Sequence, residues 1–314
     1  MHLRQLLGIL LLLVWANAAA DVAAFDDRGH WIDLPQPARR IVSLAPHVTE
    51  LLFDAGAGER VVGVVAYSDY PPAARYLPQV GDASRIDFER VLALRPDLIV
   101  AWGGGNRPAD IAHLRRLGIP VFISDPRTLG MIGGDIVQLG VLAGTERTAV
   151  RAADVYRTRL AALRRRYAGR APLRVFYQVS AQPLITVGGR QIISRVLALC
   201  GARNVFARLT PLAPAISLGA VLAADPQAII AGASGPNPRR VLSRWRRWPQ
   251  LAAVRYGNLF TVPSDLIDRP TPRMLEGARR ICADLERARS RVLSRAAVAT
   301  GLPFHPGRAP GRAR

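Results

Sequence analysis

The residues of this chain that could do chemistry are better suited to holding a molecule than to transforming one. No G-x-S-x-G, H-E-x-x-H or C-x-x-C segment occurs, so neither a strand-end nucleophile nor a helical zinc site has sequence support. Gly103-Gly104-Gly105 follows an apolar strand-like run, but Asn106-Arg107-Pro108 comes next in place of the Lys-Ser/Thr that a phosphate loop needs. This triplet reads equally as a flexible loop beside a ligand or as a tight turn. The Gly56/Gly58 pair follows a helical stretch, the wrong context for a dinucleotide fingerprint. Of the five histidines, His2, His30 and His305 fall near the chain ends and His113 falls within a helical stretch. His47 alone stands directly after a strand, where it could meet a ligand, and it has no second metal-ligating residue beside it.

Two aromatics and one charged pair are more informative. Tyr70 lies in Ser68-Asp69-Tyr70-Pro71-Pro72, just after one apolar run, and Trp102 ends another, LIVAW. Such side chains supply large apolar contact area at small entropic cost, or else pack in the core. Asp265 and Arg269 follow a later strand. They are expected either to bind polar groups of a ligand or to pair with each other.

Short apolar runs alternate with helical stretches along the chain. Arg40–Leu44, Val61–Val65, Leu98–Ala101 and Val121–Ser124 read as strands. Thr49–Ala55, Phe88–Leu94, Ala109–Leu117 and Gly134–Ala143 read as helices. This alternation predicts a parallel sheet covered on both faces. The same grammar returns with strands at Leu173–Val179, Ala228–Ile230 and Leu259–Val262. Helices are expected there at Gln191–Leu199, Leu218–Ala223 and Arg273–Leu293. Between the halves, Glu146–Ala168 contains no Gly or Pro, and Ala153, Tyr156, Leu160, Leu163 and Tyr167 recur at steps of three and four. That pattern predicts one long helix with a single packed stripe. The expectation is therefore an α/β protein of two Rossmann-like lobes joined by a single long helix. Ligands of open α/β sheets bind at strand C-termini, so the cleft should lie between the lobes. The lobes are assigned to residues 39–145 and 170–293, the connecting helix to 146–169, and an irregular N-terminal segment to 21–38. Residues 294–314, rich in Pro, Gly and Arg from Gly301 onward, are expected to be disordered.

The first residues set the compartment. A basic start through Arg4, the apolar run Leu6–Trp15 and the small residues Ala16–Ala20 make a cleavable secretory signal over residues 1–20, cut after Ala18 or Ala20. The apolar run is shorter than the ~20 residues that span a bilayer. A periplasmic location follows. The net charge of +20 comes entirely from arginine, with no lysine in the chain. The arginines are scattered rather than clustered with aromatics on one face, which argues against nucleic-acid binding. Cys200 and Cys282 are the two cysteines; an oxidising compartment favours a bridge between them over two buried, unlinked thiols.

From Arg39 to Ala288 the sequence resembles the periplasmic cobalamin-binding proteins of ABC importers, within the helical-backbone (class III) solute-binding family. The resemblance rests on RIVSLAPHVTELLFDAGAG, VGVVAYSDYPPAA, FERVLALRPDLIVAWGGGN, QIISRVLALCGARNVF and SDLIDRPTPR. The first segment and LRPDLIV mark the wider family, which also takes up haem and ferric siderophores; SDYPP and AWGGGN point to the corrinoid group. The resemblance implies the two-lobed fold, the Cys200–Cys282 disulfide and a reversibly bound corrinoid, with no resident cofactor or metal and no catalysis. It implies that Tyr70 and Trp102 contact the corrin, that Asp265 and Arg269 make polar contacts, and that Glu89 docks a monomeric receptor on an inner-membrane permease–ATPase complex. Four pocket aromatics of the family are replaced here, by Ala83, Ala213, Ile185 and Leu266, and Gly219 stands where a second docking glutamate is expected. Haem or a ferric siderophore is the alternative ligand, with His47 as the residue to suspect. A secreted α/β enzyme and an arginine-rich polyanion-binding surface are the readings from other classes.

Overall fold

The computed structural model describes residues 22–300 apart from residue 83, with side chains as far as residue 295. The expected signal, Ala83 and the expected tail beyond residue 300 lie outside the described residues. In chain order the elements are strands β1 (Val22–Phe25), β2 (Trp31–Leu34) and β3 (Ile41–Ser43), helix α1 (Pro46–Asp54), β4 (Val61–Val64), α2 (Phe88–Ala93), β5 (Leu98–Trp102), α3 (Pro108–Arg116), β6 (Val121–Ser124) and α4 (Leu129–Leu142). Then come α5 (Glu146–Tyr167), β7 (Leu173–Gln178), β8 (Ser180–Ala181), β9 (Leu184–Ile185), α6 (Ile192–Leu199), β10 (Ala202–Asn204), α7 (Leu218–Ala224), β11 (Ala228–Ala233), α8 (Ala252–Arg255), β12 (Leu259–Pro263) and α9 (Met274–Thr300).

Each lobe is built on a four-stranded parallel sheet. The first has the order β4-β3-β5-β6 and the second β10-β7-β11-β12. Their central strands are buried on both faces: Leu98, Ile99, Val100 and Ala101 in β5, and Ala228, Ile229 and Ile230 in β11, have no exposed surface. Continuous apolar strands of this kind belong in sheets covered by helices on both sides.

Helix α5 joins the lobes, as its uninterrupted pattern predicts. Ala149, Ala153, Tyr156, Leu160 and Tyr167 form its buried stripe. Tyr156 donates to the Leu129 carbonyl at 2.6 Å and so fixes α5 against α4. A Cβ on Gly140 would lie 2.2 Å from that of Ala149, so the absence of a side chain there sets how closely the two helices approach. The stripe belongs to one apolar cluster that runs from Leu51 and Ile132 of the first lobe to Val196 and Ile281 of the second. Two smaller clusters fill the outer faces of the sheets. Cys200, capping α6, is bonded to Cys282 in α9, with Cα atoms 4.8 Å apart.

Several elements depart from the sequence pattern: α4 begins at Leu129, five residues before the expected Gly134, and the short elements β8, β9, β10 and α8 were not expected. Residues 22–34 form an antiparallel ribbon of β1 and β2 rather than an irregular segment. It turns at Gly29, whose φ of +77° suits glycine, and the Asp26 carboxylate accepts from the backbone N–H groups of Arg28 and His30. Helix α1 begins at Pro46, three residues before its apolar spacing starts, because proline is well suited to the first turn. Helix α9 continues past Leu293 to Thr300. No helix among the described residues is long and apolar enough to cross a membrane.

Candidate functional site

The C-terminal ends of β3, β4 and β5 in the first lobe face the segment after β12 in the second. From β3 the chain turns into α1 and places His47 in its first turn. From β4 it runs into Tyr67–Tyr70, and β5 ends on Trp102 itself. From β12 it runs through Asp265 and Arg269 to α9.

Trp102 is half-buried. A Cβ on Gly105 would fall 1.9 Å from its ring, so the glycine loop lies flat against the indole. Asn106 locks the loop: its Oδ1 accepts from the Trp102 backbone N–H at 2.7 Å, and its Nδ2 donates to the Leu44 carbonyl at 3.0 Å. His47 stands edge-on to the indole, with ring centroids 5.4 Å apart. It is 4% exposed, and its Nε2 has no hydrogen-bond partner among the described residues. Burial, followed by the nearby positive charge of Arg269, pushes the imidazole pKa down to about 3, so the ring is neutral at ordinary pH. Tyr70 is 42% exposed and lies beneath the Arg273 guanidinium, 3.9 Å from its ring centroid.

The lobes meet through charge. Glu50, on α1, is 2% exposed. Its Oε1 accepts from Arg269 and Arg273 at 3.0 Å each, and its Oε2 accepts from the Thr271 hydroxyl at 2.9 Å. Arg269 also donates to Asp69 at 2.7 Å and to the Tyr67 carbonyl at 3.1 Å, and it lies 3.3 Å from Asp265. Burial raises the Glu50 pKa, against the opposing pull of Arg269, Arg273 and Thr271. Tyr67, whose carbonyl is held from the other lobe, has a φ of +66°, uncommon for an aromatic residue, and a ring 79% exposed. Behind the second-lobe wall, the Tyr177 hydroxyl donates to Asp268 at 3.1 Å. Gly232 leaves room for that contact, since a Cβ there would meet the Tyr177 hydroxyl at 2.9 Å.

The structure thus gathers Tyr70, Trp102, His47, Asp265 and Arg269 at one seam. Arg269 pairs with Asp265 and also bridges the lobes. Sequence reasoning missed Glu50, Asp69, Thr271 and Arg273, which complete this bridge. The one local signal was an acidic residue set directly before the buried Leu51 and Leu52. Glu89 lies apart, exposed in the first turn of α2, and Gly219 takes the equivalent position in the first turn of α7. Each of these two helices leads into a central strand of its lobe, β5 or β11. Of the replaced aromatics, Leu266 is buried, Ile185 is half-buried and Ala213 is exposed. No group of His, Cys, Asp and Glu among the described residues could hold a metal ion.

Two parallel-sheet lobes, one helical link and a seam at the strand C-termini are the architecture of a two-lobed solute-binding protein. The chain belongs to the periplasmic binding protein family, whose profile matches residues 41–266. It is 39% identical over 253 residues to the vitamin B12-binding protein of Vibrio cholerae serotype O1, covering 80% of this chain and 91% of that protein. The crystal structure of the periplasmic vitamin B12 binding protein BtuF of Vibrio cholerae superposes with a TM-score of 0.75 at 38% identity, over 81% of this chain and 98% of that one. A periplasmic heme-binding protein, RhuT from Roseiflexus sp. RS-1, shares the fold with a TM-score of 0.69 at 24% identity, over 80% and 99% of the two chains.

Proposed function

We propose that this protein is exported to the periplasm, captures cobalamin or a related corrinoid between its lobes, and delivers it unchanged to an inner-membrane ABC importer. The observation that carries this reading is the charge balance of the seam. Two guanidinium groups, Arg269 and Arg273, face three carboxylates, Glu50, Asp69 and Asp265. Arg75, which donates to the Asp69 carbonyl, brings the guanidiniums to three against three carboxylates, so among the described residues the seam holds no net positive charge for an anionic ligand. Haem presents two propionates and a ferric siderophore presents hard anionic oxygens, and each would need spare positive charge. A corrin rim fringed with amides needs neutral donors and acceptors, which the seam can supply. Tyr70 and Trp102 provide the apolar wall. The 39% identity to a vitamin B12-binding protein supports the same ligand.

Glu89 is the docking residue of this proposal. An exposed carboxylate on a helix tip suits arginines of a permease, where charge pairs orient and steer more than they add affinity. Glu89→Arg should reduce uptake of cobalamin while leaving its binding unchanged. The primary test is calorimetric titration with cyanocobalamin, with haem as control. Saturable one-to-one binding of cyanocobalamin alone is the expected result; binding of haem alone overturns the reading.

One observation favours a second ligand, the buried, neutral and unpartnered Nε2 of His47 behind Trp102. A neutral imidazole can ligate haem iron. If it does so here, haem will produce a visible-spectrum shift that His47→Ala abolishes.

A further inference from the structure

We propose that an arginine-lined pocket on the second lobe, remote from the seam, is a binding site for a multivalent phosphate-class anion. The pocket encloses about 660 Å³ beside β12, the edge strand of its sheet. Its walls are the one-turn-per-three-residue helical segment Pro238–Arg247, the outer face of α9, and Leu259, Phe260 and Thr261 of β12. Four guanidinium groups, those of Arg239, Arg246, Arg287 and Arg291, face a single carboxylate, Asp284. Packing like charges around a concavity costs free energy unless an anion neutralises them.

The four arginines fall into two kinds. Arg287 and Arg291 are one turn apart on α9 and are held in place: Arg287 by Asp284, and Arg291 by the Gly257 carbonyl at 2.6 Å. Both guanidiniums stand 5.8–5.9 Å from the Phe260 ring centroid. A guanidinium carries five N–H donors, and these contacts use few of them. Arg239 and Arg246 are exposed, and their guanidiniums have no hydrogen bond or ion pair with any described residue. Fixed donors on one wall and free cations on the other suit an anion with several oxygens, for which arginine's planar fork is well matched. The hydroxyls of Ser243 and Thr261 line the same space. Its size exceeds what a single phosphate needs and admits a diphosphate or a phospholipid headgroup, two sources of the same chemistry. The competing explanation is that the arginines only guard the β12 edge against strand pairing.

The test is titration of the purified protein with sodium diphosphate at constant ionic strength, read by calorimetry and by fluorescence of Trp245 and Trp248, which lie on or beside the same segment. Sulfate and a glutamate-rich peptide serve as comparisons. Saturable one-to-one diphosphate binding is expected, weakened about tenfold or more in the double variant Arg239→Ser/Arg246→Ser. That variant removes no side-chain hydrogen bond or ion pair, and its urea midpoint should match the parent. Sedimentation with phosphatidylglycerol vesicles but not phosphatidylcholine vesicles, lost in the variant, assigns the anion to a lipid headgroup. Diphosphate binding without vesicle binding assigns it to a free solute. Equal diphosphate binding by parent and variant overturns the proposal, as does a glutamate-rich peptide that binds as well as diphosphate. Aggregation of the variant with diphosphate binding intact would leave only the edge-guarding role.

Discussion

Removing the Glu50 carboxylate should loosen the two lobes from each other. The side chain is 1% exposed and accepts three contacts from the second lobe, from Arg269, Arg273 and Thr271. In Glu50→Leu, Arg269 keeps Asp69 and Asp265, but Arg273 loses its carboxylate partner while only 26% exposed. Breaking a buried pair from one side costs about 3–5 kcal/mol, a large share of the roughly 5–15 kcal/mol that holds a native protein together. Glu50→Gln keeps an acceptor and removes the negative charge that burial disfavours. It should therefore cost less, about 1–3 kcal/mol. Urea unfolding at pH 7 measures both values. Small-angle scattering then shows whether the lobes have separated, as a rise in radius of gyration for the Leu variant. If Glu50→Leu unfolds within about 0.5 kcal/mol of the parent and scatters identically, the inter-lobe contact contributes nothing and the reasoning fails.

Trp102→Ala and Tyr70→Ala should each weaken cobalamin binding by about 2 kcal/mol, near thirtyfold, because buried aromatics dominate small-ligand contacts; calorimetric titration decides it. Burial holds the His47 pKa at about 3, below the ordinary 6.5. The unfolded chain therefore takes up a proton first as pH falls, and stability from this group is lost from about 6.5 down to about 3. His47→Leu should flatten that part of the urea–pH profile. Asp54 acts in the opposite direction. Burial and then the Glu50 charge raise its pKa to about 6 from 3.8, so stability falls as pH rises between those values, and Asp54→Asn should remove that fall. Opening the Cys200–Cys282 bridge by a double Ser substitution frees a link across 82 residues. By loop-closure entropy this should cost up to about 4.5 kcal/mol, seen as a lower urea midpoint.

The elements most legible in the sequence were those whose burial is uniform along their length. Val121–Ser124 and the start of the linking helix at Glu146 fall where the pattern puts them, because both faces of the strand and one stripe of the helix are apolar. The N-terminal ribbon was hidden. Its strands are four residues long, and the exposed–buried alternation of Trp31–Leu34 is too brief to stand out beside Pro35 and Pro37. At the seam, Tyr70 and Trp102 could be read because a strand end is a place a sequence marks. Glu50 could not, since a carboxylate beside Leu51 and Leu52 is explained only by Arg269, 219 positions away. Cooperation between distant segments leaves no local period. The same holds for the β12 pocket, whose arginines come from two separated stretches.

The apolar cluster that crosses from one lobe to the other has a consequence for melting behaviour. With Tyr156, Leu160 and Tyr167 of α5 serving both halves, neither half retains a complete interior when the other is lost. The chain should therefore melt in one calorimetric transition, with van't Hoff and calorimetric enthalpies in agreement, despite its bilobal outline.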